Sequence, residues 1–268
     1  MHIETFKTYL ESKGYSLNTI RAYCFAVQNY YESFETISEY NLHAYLNGLK
    51  GKYSGSTINL RISALNTYIT SINSEIDPIK HISIKKTSYL ENVISAEELT
   101  LLKCRLKDDS RESVYFLIRF MASTGMRISE VLELKVENVR EGYFDICSKG
   151  NKERRVFIPL PLAREAISWL YSVKRYSGYV FLNRFGKQLS ASGARYLLHY
   201  YAEQYGISKD HAHPHSLRHR FALNFLSVCQ DISMLSDLLG HSNIETTRIY
   251  LRQTRDEQKR MIDNIVTW

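Results

Sequence analysis

The stretch "HAHPHSLRHR", residues 211–220, holds four of the chain's nine histidines and two arginines. Two chemistries use such a set: neutral imidazoles bind a metal cation, and imidazole with guanidinium binds an anion. Within "SLRHRFALNFLSV", the residues Leu217, Phe221, Phe225 and Val228 recur at helical spacing as an apolar stripe expected to face a core. His215 and Arg218 then share a different face, close to the helix N-terminus, where free backbone N–H groups and the macrodipole favour an anion. A guanidinium fork matches phosphate oxygens and repels a dication, and Asp210 is the only acid in or beside the cluster. The cluster is therefore expected to bind phosphate rather than metal, with His211, His213 and His219 as loop or packing residues.

The elements that must carry these side chains are mostly helical. "SLNTIRAYCFAVQNYY" places Ile20, Tyr23, Cys24, Val27 and Tyr31 on one face behind a Ser16 cap. "STINLRISALNTYIT" places Ile58, Ile62, Leu65 and Ile69 together and leaves Asn59, Arg61, Ser63, Asn66 and Thr70 off that face. The second face suits phosphates or plain solvent, and it makes Arg61 and Asn66 candidate DNA contacts. Around "DPIKHISIKKTSYLENV" the helical period fails at Pro78, and Lys80, Lys85 and Lys86 crowd together before a capping box at Ser95 and Glu98 restarts a helix. This predicts a helical domain over 1–85, a basic linker over 86–93 with Lys85 and Lys86 as further DNA-contact candidates, and a second domain over 94–268.

In that second domain "ESVYFLIRFMAST" reads as an apolar helix, and "TGMR" as a turn that presents Arg127 ahead of a helix whose Ile128, Val131, Leu132 and Leu134 enter the core. "YFDICS" and "RRVFIPL" read as short strands joined by "KGNKE" in a hairpin, with Lys149 and Lys152 at its tip; by themselves these are solvated turn lysines. The rest is helical apart from the apolar run "YVFLN". The fold class is mainly α with a small β-sheet (α+β).

The 35 basic side chains against 28 acidic ones give a net charge of +7, which favours a polyanionic partner. Cys24, Cys104, Cys147 and Cys229 form no CxxC pair, so neither a zinc ribbon nor a disulfide framework is indicated, and a reducing cytoplasm fits. No run of about 18 apolar residues occurs, and the first segment already carries Glu4, Lys7, Glu11 and Lys13, so neither a membrane span nor a leader is expected.

"TGMRISEVLEL", "SKGNKERRVFIPL", "HPHSLRHRFA" and "LLGHSNIETTRIYLR" follow one another in the order found in the tyrosine recombinases of the phage integrase family, which the chain resembles over about 95–252. The first part is similar to that family's helical core-binding domain in pattern only. The resemblance implies that Arg127, Lys149, His215, Arg218, His241 and Tyr250 are the catalytic residues, with Glu130 supporting them. Each role has a physical reading. Arg127 and Arg218 would stabilise charge building on the non-bridging oxygens of a five-coordinate phosphorus. A phenol with pKa about 10 needs either a nearby histidine, for which His215 is preferred, or a cationic field. Lys149, with Lys152 competing, would protonate the departing 5′-oxygen.

Any one of the chain's 20 tyrosines is far more often a packing residue than a nucleophile, and Tyr250 is singled out by its place nine residues after His241 in polar surroundings. Glu130 would orient a catalytic side chain, or merely sit in solvent. The resemblance implies a site-specific recombinase of Xer-like or mobile-element type. It would join DNA through a 3′-phosphotyrosyl bond, with no cofactor or metal, acting on double-stranded DNA sites as a homo-tetramer or with a hetero-partner, in the cytoplasm at the nucleoid. Type IB topoisomerase-like relaxation and a catalytically silent DNA-binding protein are the alternatives. An additional N-terminal arm-binding domain is not expected. At the C-terminus, Met261, Ile262, Ile265 and Trp268 form a stripe expected to dock on its own domain or on a neighbouring protomer.

Overall fold

Serine caps open three of the first four helices. Ser16, Ser38 and Ser54 each accept a hydrogen bond from the amide three residues on, which satisfies one of the free N–H groups of a new helix. The computed structural model describes residues 3–84, 92–148, 152–241, 243–251 and 263. The chain divides into two compact units, Met1–Lys86 and Thr87–Trp268.

The first unit is a bundle of α1 (Ile3–Ser12), α2 (Leu17–Tyr31), α3 (Glu39–Leu49) and α4 (Gly55–Ser71). Its core joins Phe6, Leu10, Ile20, Val27, Tyr30, Leu42, Ile62 and Leu65. Beyond α4 an extended segment returns along that helix. Asn59 pairs with the backbone of Ile82 through both its amide groups, at 3.0 and 2.8 Å, and Asn66 does the same with Ile79, at 2.9 Å for each bond. The polar face of α4 thus serves as a template for its own chain. Asn66, read from the sequence as a DNA contact, is engaged inside the unit.

Arg61 is corrected more sharply: it is only 5 % exposed. Its Nη1 donates to Tyr45 Oη at 2.7 Å and to Asn29, while its guanidinium lies 4.4 Å from the centre of the Tyr53 ring. A cation held by two neutral acceptors and an aromatic face is a structural element, and its apparent place on a polar face arose because the surrounding Asn, Ser and Thr are themselves turned toward protein. Lys85 and Lys86 lie outside the described residues.

The second unit contains α5 (Ala96–Asp108), α6 (Glu112–Thr124), α7 (Ile128–Leu132), α8 (Val136–Glu141), β1 (Tyr143–Ser148), β2 (Lys152–Phe157), α9 (Leu160–Ser172), α10 (Ala191–Gln204), α11 (Pro214–Val228), α12 (Ile232–Leu239), α13 (Glu245–Arg248) and a 3₁₀ turn, Ile249–Leu251. Ser95 and Glu98 form the expected capping box at α5. The apolar α6 supplies the centre of the core through Leu117, Ile118, Phe120 and Met121. Val180 and Phe181 of "YVFLN" are buried, but they join no strand; Lys135–Tyr179 and Leu182–Gln188 are isolated bridges.

Two expectations are altered here. β1 and β2 pair antiparallel from Tyr143–Phe157 to Ser148–Lys152, so Lys152 is a ladder residue and the connection is 149–151. Val228 is 88 % exposed, because α12 packs through Leu235 and Leu239 against Ala222 in the middle of α11 and leaves the end of the helix uncovered. The described helices include none long and apolar enough to cross a membrane.

Candidate active site

The site is assembled from four local structures, of which the first is the turn after α6. Gly125 closes that helix at φ +65°, and a Cβ there would lie 2.4 Å from Phe221 Cδ1 and 2.9 Å from Leu239 Cδ2. Left-handed backbone and close approach both demand glycine. Gly125→Ala should lower stability by about 2–5 kcal/mol, combining αL strain with overpacking. A urea midpoint equal to that of the unaltered protein would contradict this.

Arg127 follows the turn as the cap residue of α7, and Glu130 in the first turn of that helix holds it twice. The Glu130 carboxylate accepts from the Arg127 amide at 2.7 Å and from Arg127 Nη1 at 2.8 Å. It also accepts from Arg154 Nη2 at 2.7 Å, and Arg154 Nε donates to the Leu238 carbonyl at 3.2 Å. Burial opposes ionisation of Glu130, but the hydrogen bonds and charges of Arg154 and Arg127 outweigh it and hold the carboxyl below its ordinary pKa. The sequence reading missed Arg154. Its signal lay in strand alternation, since Arg154 shares a face of β2 with the buried Val156.

Gly240 is the second left-handed glycine that the site requires, at φ +64°, and a Cβ there would lie 2.7 Å from Arg154 Nη1. Its carbonyl accepts from Arg127 Nη2 at 3.4 Å, and the turn delivers His241 directly afterwards. Arg218, on α11, is 4 % exposed and joins both glycine turns: Nη1 donates to Gly125 O at 2.7 Å and Nη2 to Leu239 O at 2.6 Å. Its Nη2 also lies 3.0 Å from His241 Nε2, which must accept, so the Nδ1–H of His241 donates to Thr247 Oγ1 at 2.8 Å. Burial and the neighbouring Arg127 lower the Arg218 pKa to about 10, which leaves it charged at neutral pH. Burial, Arg218 and Arg127 together push His241 down to about 4, so it is neutral.

His215 stands one turn before Arg218–His219 and is exposed, without a hydrogen bond among the described residues. Protein crowding around its ring, then Arg218 and Arg127, lower its pKa. Tyr250, in the 3₁₀ turn, is 6 % exposed among Ala222, Leu235 and Leu239. Its hydroxyl lies 2.8 Å from Nδ1 of His219, a residue read from the sequence as loop or packing. Burial raises the phenol pKa, against the pull of Arg218. His211 instead pairs with Glu98 at 2.9 Å, and His213 caps α11 by accepting from Ser216 N at 3.2 Å. Lys149 and the C-terminal stripe fall outside the described residues.

Arg127 and Arg154 thus share one carboxylate, Glu130, while Arg218 lies between the glycine turns, beside two neutral histidines and a phenol. Such a pocket is short of negative charge and suits a phosphodiester. No group of three or more His, Cys, Asp or Glu among the described residues is arranged to hold a metal ion.

A helical unit followed by an α-rich unit bearing this arginine–histidine–tyrosine set defines a phosphoryl-transfer enzyme that would carry its own nucleophile. The phage integrase family profile matches residues 92–257, and the family's N-terminal SAM-like domain matches residues 3–75. The chain is 33% identical over 271 residues to tyrosine recombinase XerA of Pyrococcus furiosus, covering 97% of this chain and 92% of that protein. It is 31% identical over 284 residues to tyrosine recombinase XerC of Herpetosiphon aurantiacus, covering 95% and 91%.

Among solved structures, a lambda integrase(75-356) dimer bound to a COC′ core site matches with TM-score 0.75 at 16% identity, covering 94% of each chain. XerH bound to difH in a pre-cleavage complex matches with TM-score 0.72 at 22% identity, covering 95% of this chain and 83% of that one. These two likenesses show the fold. The chain belongs to the phage integrase family and is a tyrosine-type site-specific recombinase. The relaxation-only alternative is not favoured.

Proposed function

We propose that Arg127, Lys149, His215, Arg218, His241 and Tyr250 carry DNA strand exchange, supported by Glu130. The single observation behind this reading is that Arg127, Arg218 and His241 meet around the glycine turns at 125 and 240, with Tyr250 packed beside Leu239 and joined to the Arg218 helix through His219, all from four separate local structures. A scissile phosphate seated on the two arginines has its developing charge compensated in a site partly shielded from water. Tyr250 Oη bonds to phosphorus, the P–O5′ bond breaks, and a 3′-phosphotyrosyl enzyme and a 5′-hydroxyl result. A 5′-hydroxyl from a partner strand reverses the step, and the phosphotyrosyl link conserves the energy that rejoining needs.

A phenol of ordinary pKa about 10 is protonated at neutral pH, and burial favours that form further, so its proton must leave during attack. His215, exposed beside Arg218, is the proposed acceptor once attack on the phosphate draws the hydroxyl from its resting bond to His219, or the cationic field assists directly. Glu130 fits the orienting role through its bonds to Arg127 and Arg154. The partner is double-stranded DNA at specific sites, in keeping with the protein's excess of basic residues. A tetramer on two sites, with or without a second recombinase, in the nucleoid-bearing cytoplasm, is the proposed setting. Residues 1–85, 86–93 and 94–268 would serve as core-binding domain, linker and catalytic domain with a C-terminal tail helix.

The test is covalent capture on a nicked substrate that loses its 5′-hydroxyl fragment on cleavage. Lys149→Ala should cleave ordinary DNA about 10²–10⁴-fold more slowly, the usual span for a lost general acid. It should recover most of that rate when sulfur replaces the bridging 5′-oxygen, because a thiolate leaves without a proton. Rescue of Lys152→Ala but not of Lys149→Ala would assign the role to the ladder lysine instead.

A further inference from the structure

The geometry points to His219 as the residue that positions the Tyr250 phenol, leaving His215 free to face the substrate. The inference rests on the reading of Tyr250 as nucleophile. His215 and His219 are one turn apart on α11, with ring centres 6.5 Å apart, and the Tyr250 ring centre lies 5.5 Å from that of His219. Of the two, His219 reaches the phenol, its Nδ1 lying 2.8 Å from Oη, whereas His215 is exposed and makes no hydrogen bond among the described residues.

The ring that carries this hydroxyl is held on its other sides by Ala222, Leu235 and Leu239, so apolar packing sets its depth and His219 sets its rotation. His219 is neutral at neutral pH, since burial and then the neighbouring His215, His213 and Arg218 lower its pKa to about 4. A neutral Nδ1 accepting the O–H turns the hydrogen toward itself and leaves oxygen lone pairs for phosphorus. Holding the reacting atom this way matters because misplacement by about 1 Å costs about a hundredfold in rate.

The experiment measures covalent adduct formation at saturating nicked DNA, alongside DNA affinity and thermal melting, for His219→Ala, His219→Asn and His219→Gln. Asparagine carries its amide at the position of Nδ1, whereas glutamine carries it one bond further out. His219→Ala should form adduct about a hundredfold more slowly with unchanged DNA affinity. His219→Asn should regain at least about a tenth of the original rate, and His219→Gln should not. Should the alanine variant fail to fold, the asparagine–glutamine pair decides. Wild-type rates in His219→Ala, or equal rates for Asn and Gln in folded proteins, would overturn the inference. Tyr250→Phe run in parallel separates the premises: adduct formed by that variant would count against the nucleophile, whatever His219 does.

Discussion

Arg218→Ala is expected to form covalent adduct at least about a thousandfold more slowly than the unaltered protein, the scale on which arginines act in phosphoryl transfer. Its guanidinium is buried with two carbonyls and a histidine as partners, and no carboxylate among the described residues is bonded to it. Such a cation is poorly compensated until a phosphate arrives, so the arginine serves chemistry more than folding. The alanine variant leaves acceptors without their donor, which costs about 1–3 kcal/mol for each group that stays dry. Removal of the uncompensated charge offsets part of this. Single-turnover cleavage and a denaturant titration on the same samples check the expectation. A variant that cleaves within tenfold of the original rate, or one that loses all folding, would contradict it.

Tyr250→Phe should abolish adduct formation to the limit of detection while retaining DNA binding, because only the attacking oxygen is removed. The substitution also deletes the hydrogen bond to His219, but the ring keeps its apolar seat against Ala222, Leu235 and Leu239. Loss of a single neutral hydrogen bond costs about 1 kcal/mol, too little to unfold the domain. Gel separation of covalent complexes and a binding titration read the two properties independently. Covalent complex in the phenylalanine variant would move the nucleophile elsewhere.

Spacing alone placed His215 and Arg218 on one helix face and Arg127 at the turn before α7, since these depend on local periodicity and on glycine at 125. The mainly helical class with one hairpin was equally legible, because the apolar stripes are long and the capping residues explicit. What could not be read depends on contacts distant in sequence. His219 looked like packing because its partner lies 31 residues away on a different element. Arg61 looked solvent-facing because helical periodicity marks what is apolar, and it cannot distinguish water from polar partners such as Asn29 and Tyr45 on neighbouring helices. Arg154 was hidden by the run of basic residues around it, although the period of two in β2 turns it inward with Val156. Lys152 was assigned to the turn because hairpin ends are set by register, which composition does not specify.

The most direct measurement of the central claim is identification of the side chain that becomes joined to DNA. The unaltered protein is incubated with a nicked site-bearing substrate, the covalent complex is digested, and the peptide carrying the nucleotide remnant is sequenced by mass spectrometry. The account predicts one modified peptide, with Tyr250 linked to a 3′-phosphate and a free 5′-hydroxyl on the released strand. A remnant on any of the other 19 of the chain's 20 tyrosines, a 5′-phosphate linkage, or cleavage without a covalent intermediate would contradict it.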